Sequence, residues 1–330
     1  MLKREGSGCR TARGLSMAVV VCTSSRERFP LLRACVGSIL GADPQPHELI
    51  VVVDGDRSLA REVVASLPSR VRVIHSDGDG LSAARNIGLA AARTDLVAFV
   101  DDDASVDRRW LGALTTALSG DDDIIGAGGP VLPMWEADRR WMPDELLWVV
   151  GCTYTGHRVR AGPIRNPIGC NMAFRRETLV AAGGFCTTFG KRGRTWQTCD
   201  ETELGLRLEQ VHGPGKIMYV PDAPVHHFVP AARISWRLLV RRSVSEGLAK
   251  GRLRRLYDGP TLQHERSYVR LMLLGALPRL LRDGIRSRDR DRAAGAFAIS
   301  FSLLTTAVAF VAGFLREGIP PRTSIDKPLP

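Results

Sequence analysis

The sequence contains little that would cross-link a fold or bind a structural metal. Its seven cysteines are scattered, their number is odd, and no two of them form a CxxC pair. Disulfide frameworks and structural zinc sites need closer and more regular spacing, so we expect the reduced thiols of a cytosolic domain. No helix-turn-helix, zinc-finger or RNA-binding signature is present, and we expect no nucleic-acid partner.

The N-terminus lacks the apolar core of a signal peptide. Residues 1–16 are polar and basic, and the first apolar run begins at Met17. We expect residues 1–16 to form a disordered N-terminal extension. The composition as a whole, with 44% hydrophobic and 25% charged residues, is typical of a globular protein.

Basic residues are in excess, and the excess is regional. The net charge is +11 and the isoelectric point is near 9.8. Residues 233–292 contain sixteen basic and six acidic side chains. A charge of this size favours an anionic partner such as a nucleotide or a membrane surface.

Apolar runs alternate with helical patterns in the first hundred residues after Met17. Four runs predict strands, at 17–22, 49–53, 71–75 and 96–100. Three patterns between and after them predict helices, at 30–40, 80–93 and 110–118. This alternation is typical of βαβ units and predicts an α/β fold with a mostly parallel, Rossmann-like sheet. Ligands of such sheets bind at the carboxyl ends of the strands.

Three carboxylates follow the fourth apolar run. Asp101, Asp102 and Asp103 stand where the strand at 96–100 ends, and strand packing gives no reason for them. Two such carboxylates can bind one divalent cation that also contacts substrate phosphates. A second acidic triplet, at 121–123, precedes an apolar run instead and is interpreted as a solvated turn. We therefore predict a metal and diphosphate site at 101–103.

A second acidic group begins a predicted helix that runs to about residue 211. Asp200, Glu201 and Glu203 lie in its first turn. Three carboxylates in four residues exceed what a favourable interaction with the helix dipole requires. His226 and His227 end a later apolar stretch, and they are either part of a turn or the source of a metal ligand.

Residues 126–167 are rich in glycine, proline and aromatic residues and predict irregular structure. Four aromatic side chains stand in this segment: Trp135, Trp141, Trp148 and Tyr154. They are either core residues under a long loop or a wall of an acceptor site. The pattern does not distinguish the two.

The C-terminal third predicts helices that associate with a membrane. Residues 234–256 predict a basic amphipathic helix. Its predicted apolar face consists of Trp236, Leu239, Val240, Val244 and Leu248. Residues 293–315 contain no charged side chain and are long enough to cross a bilayer, although a buried core helix is the alternative. The arginines at 282–292 favour the cytoplasmic side for the preceding domain.

The motifs and their order resemble the family 2 glycosyltransferases of the GT-A fold. The resemblance covers about residues 19–208 and rests on the Thr23 turn and on five short segments. These are VVDG at 52–55, GLSAARNIG at 80–88, FVDDD at 99–103, GCNMAF at 169–174 and DETEL at 200–204. It implies a GT-A catalytic domain with a mixed sheet at 17–232. Basic amphipathic helices at 233–292, a membrane-spanning helix at 293–315 and a tail at 316–330 would follow.

The resemblance also implies roles for individual residues. Asp54 would contact the nucleotide base, Arg85 the nucleotide region and Asp101 the ribose. Asp103 would bind Mg²⁺ or Mn²⁺ on the diphosphate of a nucleotide-sugar donor, together with His227 of the histidine pair. Further contributions to nucleotide binding are expected from Thr23, Arg28 and Asp102.

By the same resemblance, a sugar passes from the nucleotide-sugar to a hydroxyl acceptor, in a reaction of the hexosyltransferase type. The cation would stabilise charge on the leaving diphosphate, and a carboxylate would accept the hydroxyl proton. Glu201 is the expected base, with Asp200 as the alternative, and a single displacement would invert the anomeric configuration. The expected acceptor is lipid-linked or a cell-envelope polysaccharide. The C-terminal helix would anchor the enzyme at the cytoplasmic face of the cell membrane.

Two other functions are compatible with parts of the sequence. The segment at 101–105 also resembles the Asp-x-Asp motif of haloacid-dehalogenase-like phosphatases, but that motif normally opens its domain, whereas three strands precede it here. A non-enzymatic basic membrane-associated protein would explain the charge but would give neither acidic group a role.

Overall fold

The computed structural model of the protein describes residues 14–192, 195–196, 198–257 and 262–316. The predicted extension at 1–16 lies outside the described residues up to residue 13, and the predicted tail at 316–330 does so from residue 317. Ser16 is already bonded to the domain, because its backbone N–H and its hydroxyl donate to Asp95 Oδ2 at 2.9 and 2.6 Å.

Strands and helices alternate through the first two thirds of the chain. The strands are β1 (Met17–Thr23), β2 (Glu48–Asp54), β3 (Val71–Ser76), β4 (Leu96–Asp101), β5 (Ala104–Val106), β6 (Gly126–Gly128), β7 (Val131–Trp135), β8 (Gly162–Ile164), β9 (Met172–Arg175), β10 (Lys191–Arg192), β11 (Thr195–Trp196), β12 (Ile217–Tyr219) and β13 (Val225–Val229). The helices are α1 (Phe29–Leu40), α2 (Arg57–Ser66), α3 (Leu81–Ala91), α4 (Trp110–Ser119), α5 (Arg176–Ala181), α6 (Asp200–His212), α7 (Trp236–Leu256), α8 (Gln263–Leu271), α9 (Leu277–Ser287) and α10 (Arg290–Leu315). Short 3₁₀ turns cover Arg26–Arg28, Asp144–Val150 and Ala231–Arg233, and a π-helical turn covers Met272–Ala276.

A mixed sheet of eight strands forms the centre of the fold, in the order β3-β2-β1-β4-β9-β6-β12-β8. Strands β1 to β4 are mutually parallel, and β9 runs antiparallel to both β4 and β6. Helices cover both faces of the parallel strands, so nearly every residue of β1 and β2 is buried. Burial on both faces explains why these strands appear in the sequence as continuous apolar runs.

Alternate residues of each parallel strand belong to two separate cores. Val19 and Val21 of β1 pack in the core beneath α1, α2 and α4, whereas Ala18 and Val20 pack in the core beneath α3 and α6. Helix α3 lies very close to β1, because a Cβ built on Gly88 would overlap the side chain of Val20. This close approach brings the first turns of α3 to the carboxyl ends of the strands.

A smaller sheet in the order β5-β13-β7 stands beside the carboxyl end of β4. Strand β13 pairs antiparallel with β5, so that His227 lies opposite Ala104, the residue after Asp103. Successive side chains of a strand point to opposite faces. The two histidines of β13 are therefore on opposite sides of this small sheet.

The predicted α/β architecture is confirmed, with two differences in detail. The four predicted strands and the predicted helices occur close to their expected bounds. No helix is predicted from the sequence at α2, although its buried residues Leu59, Ala60 and Val63 have helical spacing. The segment 126–167 was predicted to be irregular but contributes β6, β7 and β8, which are too short to produce a periodic pattern.

Helix α7 packs against α10 through a face that differs from the predicted one. Three members of the predicted apolar face are more than a third exposed: Trp236, Val240 and Val244. The closest approach is made by small residues, namely Ser243, Gly247 and Gly251, whereas Leu239 of the predicted face is buried in the cluster that contains Ile299 of α10. A Cβ on Gly247 would overlap the backbone oxygen of Thr306, and one on Gly251 would overlap that of Phe310. Small residues at a spacing of four allow two helix backbones to approach this closely.

Helix α10 contains the predicted membrane-spanning segment and begins three residues before it, at Arg290. Among the described residues it is the one helix long and apolar enough to cross a membrane, with a mean hydropathy of 2.0 over its most apolar window. About 28% of that window is buried inside the protein. Most of the helix is therefore available to a lipid or protein surface.

Candidate active site

Side chains from three parallel strands meet where those strands end. Thr23 ends β1, Asp54 ends β2 and Asp101 ends β4. All three line one cavity of about 1500 Å³. The crevice predicted at the carboxyl ends of the strands therefore exists.

Asp54 binds the loop that follows β3. Its carboxylate accepts hydrogen bonds from the Ser76 hydroxyl, from Gly78 N–H at 3.2 Å and from Gly80 N–H at 3.1 Å. Gly78 and Gly80 both have positive φ, which glycine adopts without strain. Asp54 consequently shapes the cavity wall as well as lining it.

Asp102 is buried between β1 and the 3₁₀ turn that follows it. It accepts a hydrogen bond from the Thr23 hydroxyl at 2.6 Å and forms an ion pair with Arg28. Burial raises the pKa of Asp102 to about 7, against the opposing effect of Arg28. These contacts tie the acidic motif to the beginning of α1.

Asp103 is surrounded by cationic and imidazole groups. Arg28 lies 2.6 Å from its carboxylate, Arg233 lies 3.3 Å from it, and His227 Nε2 lies 3.3 Å from Asp103 Oδ1. Burial favours the neutral acid, but His227, Arg28 and Arg233 outweigh it and hold the pKa of Asp103 below its ordinary value. Burial likewise opposes a charge on His227, yet Asp103 raises the His227 pKa to about 10.

The pair Asp103 and His227 fits a divalent cation. Asp103 Oδ1 is buried and has no hydrogen-bond partner among the described residues, and it faces an imidazole nitrogen. Carboxylate oxygens suit Mg²⁺ and Mn²⁺, whereas imidazole suits Zn²⁺ better, so the pair can bind a divalent cation without selecting one. The described part of the chain contains no group of three histidine, cysteine or acidic side chains that could surround a metal. Any cation here would need further ligands from a substrate or from water.

Arg85 connects the two acidic motifs. Its guanidinium donates to Asp200 at 2.8 Å, to Asp101 at 3.2 Å and to the Gly169 backbone oxygen at 3.0 Å. It also lies 5.4 Å from the centre of the Phe185 ring. Asp101 ends β4 and Asp200 begins α6, and the buried guanidinium of Arg85 binds both carboxylates.

Glu201 stands beside this network with its charge less well compensated. Burial and the neighbouring Asp200 together raise the pKa of Glu201 to about 8, against the opposing effect of Arg85. A Cβ on Gly169 would overlap Glu201 Oε1, so the missing side chain of Gly169 makes room for this carboxyl group. Glu201 is half-buried and lines the cavity. It can accept a proton from a bound hydroxyl.

Several predicted candidates lie away from this site. Glu203 is fully buried, where it pairs with Arg207 at 2.8 Å and accepts a hydrogen bond from the Tyr257 hydroxyl at 2.6 Å. His226 Nε2 contacts Asp107 at 2.9 Å on the other side of β13 from Asp103. The triplet at 121–123 is exposed, in agreement with its interpretation as a solvated turn.

The four aromatic residues of segment 126–167 lie in the core, and two of them also lie at the cavity. All four of them pack against the same core cluster, beneath α7 and α10. Trp148 and Tyr154 also line the cavity, and the Trp148 indole donates to the Tyr268 hydroxyl at 3.1 Å. Two of the four are thus both core residues and cavity-lining residues.

Part of the site was not predicted from the sequence. Arg233 contacts Asp103. Away from the strand ends, the cavity is lined by residues that follow β8 and by residues of α7, α8, the π-helical turn and α10, a part that we call the far half, and many of these residues are charged. The charged residues include Arg165, Arg242, Glu246, Lys250 and Glu265. The basic pattern of residues 234–256 marked this region as charged, but no local signal indicated that these side chains face a cavity.

Comparison with known proteins places these motifs in a family context. The model of "Glycosyl transferase family 2" matches residues 18–181. The glucosyl-dolichyl phosphate glucuronosyltransferase of Haloferax volcanii is 29% identical over 271 residues, which cover 81% of this chain and 86% of that protein. The succinoglycan biosynthesis protein ExoM of Rhizobium meliloti is 27% identical over 253 residues, covering 72% and 75%.

Two solved structures share the fold. The mannosyltransferase PcManGT from Pyrobaculum calidifontis, in complex with GDP-Man and Mn²⁺, matches with a TM-score of 0.59 and 20% identity over 91% of this chain and 88% of that one. GalNAc-T7 with UDP, GalNAc and Mn²⁺ matches with a TM-score of 0.51 and 15% identity over 78% of this chain, which spans about half (54%) of that chain. At these identities the likeness concerns the fold.

Proposed function

Because the chain belongs to glycosyl transferase family 2 and is a glycosyltransferase, we propose that it transfers a sugar from a nucleotide-sugar to the hydroxyl of a lipid-linked or cell-envelope glycan. The reaction is a metal-assisted, inverting single displacement. The observation that carries this proposal is the meeting, in one cavity, of a two-ligand metal set with a carboxyl group suited to act as a base.

The donor binds at the carboxyl ends of β1, β2 and β4. Asp54 and Asp101 contact the nucleoside. Arg28, Arg85 and Arg233 supply positive charge around the diphosphate, while Thr23 and Asp102 keep Arg28 in position through their contacts. Three guanidinium groups at one site can bind a doubly charged leaving group, because each guanidinium can donate two parallel hydrogen bonds to phosphate oxygens.

Asp103 and His227 bind Mg²⁺ or Mn²⁺. Two protein ligands suffice, because ions of this class commonly complete their coordination with substrate phosphates and water. The bound ion supplies stabilisation of the negative charge that develops on the departing nucleoside diphosphate. The fold relatives were solved with Mn²⁺ and with a nucleotide or nucleotide-sugar, which supports this assignment.

Glu201, rather than Asp200, accepts the proton of the acceptor hydroxyl. Asp200 is ion-paired with Arg85 at 2.8 Å, so its carboxylate is already engaged by a guanidinium. Glu201 has a raised pKa, near 8, and therefore binds a proton readily near neutral pH. Asp200 and Arg85 then position Glu201 and the donor relative to each other.

The acceptor side of the proposal relies on the relatives and on the C-terminal helices. The relatives' names refer to a dolichyl phosphate-linked sugar and to succinoglycan biosynthesis. We place the catalytic domain, residues 17–232, at the cytoplasmic face of the cell membrane, anchored through α10. The arginines at 282–292 support this side, because basic residues close to a membrane-binding segment favour the anionic cytoplasmic face. The family assignment leaves the phosphatase and non-enzymatic alternatives without support.

The proposal is tested by nucleotide-dependent thermal stability of the detergent-solubilised chain. UDP, GDP, CDP and dTDP are each added with and without Mn²⁺, to the wild type and to Asp103→Asn. A ligand at about a hundred times its dissociation constant stabilises the native state by about 2.7 kcal/mol. We expect stabilisation by one nucleotide that requires both Mn²⁺ and Asp103.

Asp123→Asn is the matched control, because Asp123 belongs to the exposed acidic triplet and pairs only peripherally, with Lys216 at 2.8 Å. It should respond to the nucleotide like the wild type. Stabilisation that is equal in Asp103→Asn and the wild type would remove the metal assignment. Absence of any nucleotide response in the wild type would remove the proposed donor class.

A further inference from the structure

The cavity extends well beyond the strand ends where the donor is placed. Its far half is walled by α7, α8, the π-helical turn and α10. Residues at least sixty positions apart along the chain, such as Arg165, Lys250 and Phe310, line the same space. A nucleotide-sugar at the strand ends would leave this half free for an acceptor.

Positive charge predominates on the wall of the far half. Six cationic side chains line it, Arg158, Arg165, Arg242, Lys250, Arg266 and Arg270, against two carboxylates, Glu246 and Glu265. An excess of cations in a concave site attracts an anionic group. A neutral glycan acceptor would give this charge no partner.

Arg242 is the cation best placed to bind that anion. Arg165 and Lys250 are both ion-paired with Glu265, and Lys250 also lies 3.2 Å from Glu246. Arg242 interacts electrostatically with Glu246. It donates a weak hydrogen bond of 3.4 Å from Nη2 to the Trp148 backbone oxygen, and its buried Nε has no hydrogen-bond partner among the described residues. A buried guanidinium N–H without a partner is costly unless a ligand accepts from it.

Beyond Arg242 the wall becomes apolar and reaches the protein surface. Leu273 and Leu274 belong to the π-helical turn and line the cavity, yet they are 52% and 71% exposed. Phe310 of α10 lines the cavity as well. Because the same leucines face both the cavity and the outside, the cavity opens between the π-helical turn and α10.

The opening lies within a wider exposed apolar surface. Large apolar side chains of α9 and α10 are more than half exposed there: Leu281, Ile285, Leu304, Val308 and Val311. The arginines of residues 279–292 accompany them. An apolar face combined with basic residues is typical of helices that bind an anionic lipid surface.

The pairing of α7 with α10 indicates that this surface lies along the membrane. The two helices run side by side from Ser243 and Ser302, whose hydroxyls are 2.9 Å apart, to Gly251 and Gly313. The paired part of α7 carries Arg241, Arg242, Glu246 and Lys250, and charged groups are expensive at the centre of a bilayer. If α10 crossed the bilayer, the paired part of α7 and its charged side chains would have to enter the bilayer as well. A position in the interface plane avoids this cost and presents the opening to lipid.

From these observations, and resting on the proposed transfer to a lipid-linked acceptor, we propose that the far half of the cavity binds the lipid phosphate of that acceptor. Arg242 binds the phosphate, and Leu273, Leu274 and Phe310 enclose the first units of the apolar chain where it leaves the bilayer. The acceptor hydroxyl then extends from the phosphate toward Glu201.

The experiment measures dissociation constants by calorimetry on the full chain in dodecyl maltoside. The probes are undecaprenyl phosphate, farnesyl phosphate and inorganic phosphate, so that contributions of chain and phosphate are separated. The variants are Arg242→Gln and Leu274→Glu. Their matched controls are Arg241→Gln, on the exposed side of α7, and Val64→Glu, on α2, where Val64 is 60% exposed. A cooperative thermal transition without ligand reports that each variant is folded.

We expect Arg242→Gln to weaken binding of both lipid phosphates about tenfold, the usual effect of losing one charge-assisted hydrogen bond. Leu274→Glu should weaken undecaprenyl phosphate and leave inorganic phosphate unchanged, and both controls should behave like the wild type. Equal effects of Arg242→Gln and Arg241→Gln, or inorganic phosphate binding as tightly as the lipids, would overturn the inference.

The outcome for the proposed function is separate. A chain that responds to nucleotide and Mn²⁺ but binds no lipid phosphate retains the transferase proposal and loses this acceptor site. A chain that binds undecaprenyl phosphate through Arg242 but responds to no nucleotide retains the site and loses the proposed donor.

Discussion

Replacement of Glu201 by glutamine should remove the base while preserving the shape of the site. Glutamine has the size of the protonated glutamate, which is the dominant form of Glu201 below its pKa of about 8. The space beside Gly169 accommodates either side chain. The variant should therefore fold and bind nucleotide, and lose only the proton acceptor.

The expected loss in kcat is about 10²- to 10⁴-fold, the usual contribution of a positioned general base. The pH dependence adds a second signature. Only the carboxylate form accepts the proton, so in the wild type kcat/KM should rise about tenfold per pH unit below about pH 8 and level off above it. Asp200→Asn removes a negative neighbour that raises the Glu201 pKa, and it should move this limb to lower pH.

Stability provides a readout that does not depend on activity. Folded Glu201 keeps its proton until about pH 8, whereas an unfolded glutamate loses it near 4.5, so the native state binds more protons between these values. The unfolding free energy of the wild type should therefore fall with rising pH relative to Glu201→Gln. The slope is at most about 1.4 kcal/mol per pH unit within this window.

The assay is transfer from the donor class identified by thermal stability, followed at several pH values, with urea unfolding of the same variants. Glu209→Gln, on the same helix, is the control and should match the wild type in both. The reasoning would be refuted by an active Glu201→Gln enzyme, or by one whose residual activity retains the acid limb near pH 8.

Three further predictions concern close approaches and orientation. Gly169→Ala should lower kcat at least about tenfold, because its Cβ would overlap Glu201 Oε1. The same Cβ would lie 3.1 Å from Arg85 Nη2, so a smaller loss of nucleotide affinity should accompany it. Steady-state kinetics with thermal shifts measure both, and a normal kcat would contradict the assigned position of Glu201. Gly247→Val should lower the unfolding free energy by about 1–3 kcal/mol, because the added side chain would overpack against Thr306. Urea unfolding measures this loss, and an unchanged free energy would argue against the contact between α7 and α10. Topology reporters at the two chain ends should lie on the same side of the membrane, and opposite sides would show that α10 spans it.

Much of this protein is determined by local patterns in its sequence. The parallel strands are buried on both faces, so each appears as an uninterrupted apolar run, and acidic residues such as Asp101 and Asp103 interrupt that pattern where a strand ends. Their order along the chain was sufficient to predict the fold class and the edge at which the site lies. The first turn of α6 was likewise visible as an acidic cluster, because helix starts have a local signature.

Only the tertiary structure decided which members of each cluster belong to the site. Strand pairing with β5 places His227 beside Asp103 and turns His226 away, and helix packing buries Glu203 against Tyr257 while Glu201 faces the cavity. The charged lining of the far half, including Arg242, depends on how α7 packs against α10. These outcomes follow from register and helix rotation, which are set by contacts between distant segments. A local pattern specifies which residues share an element, but the partners of that element decide which of its faces meets the substrate.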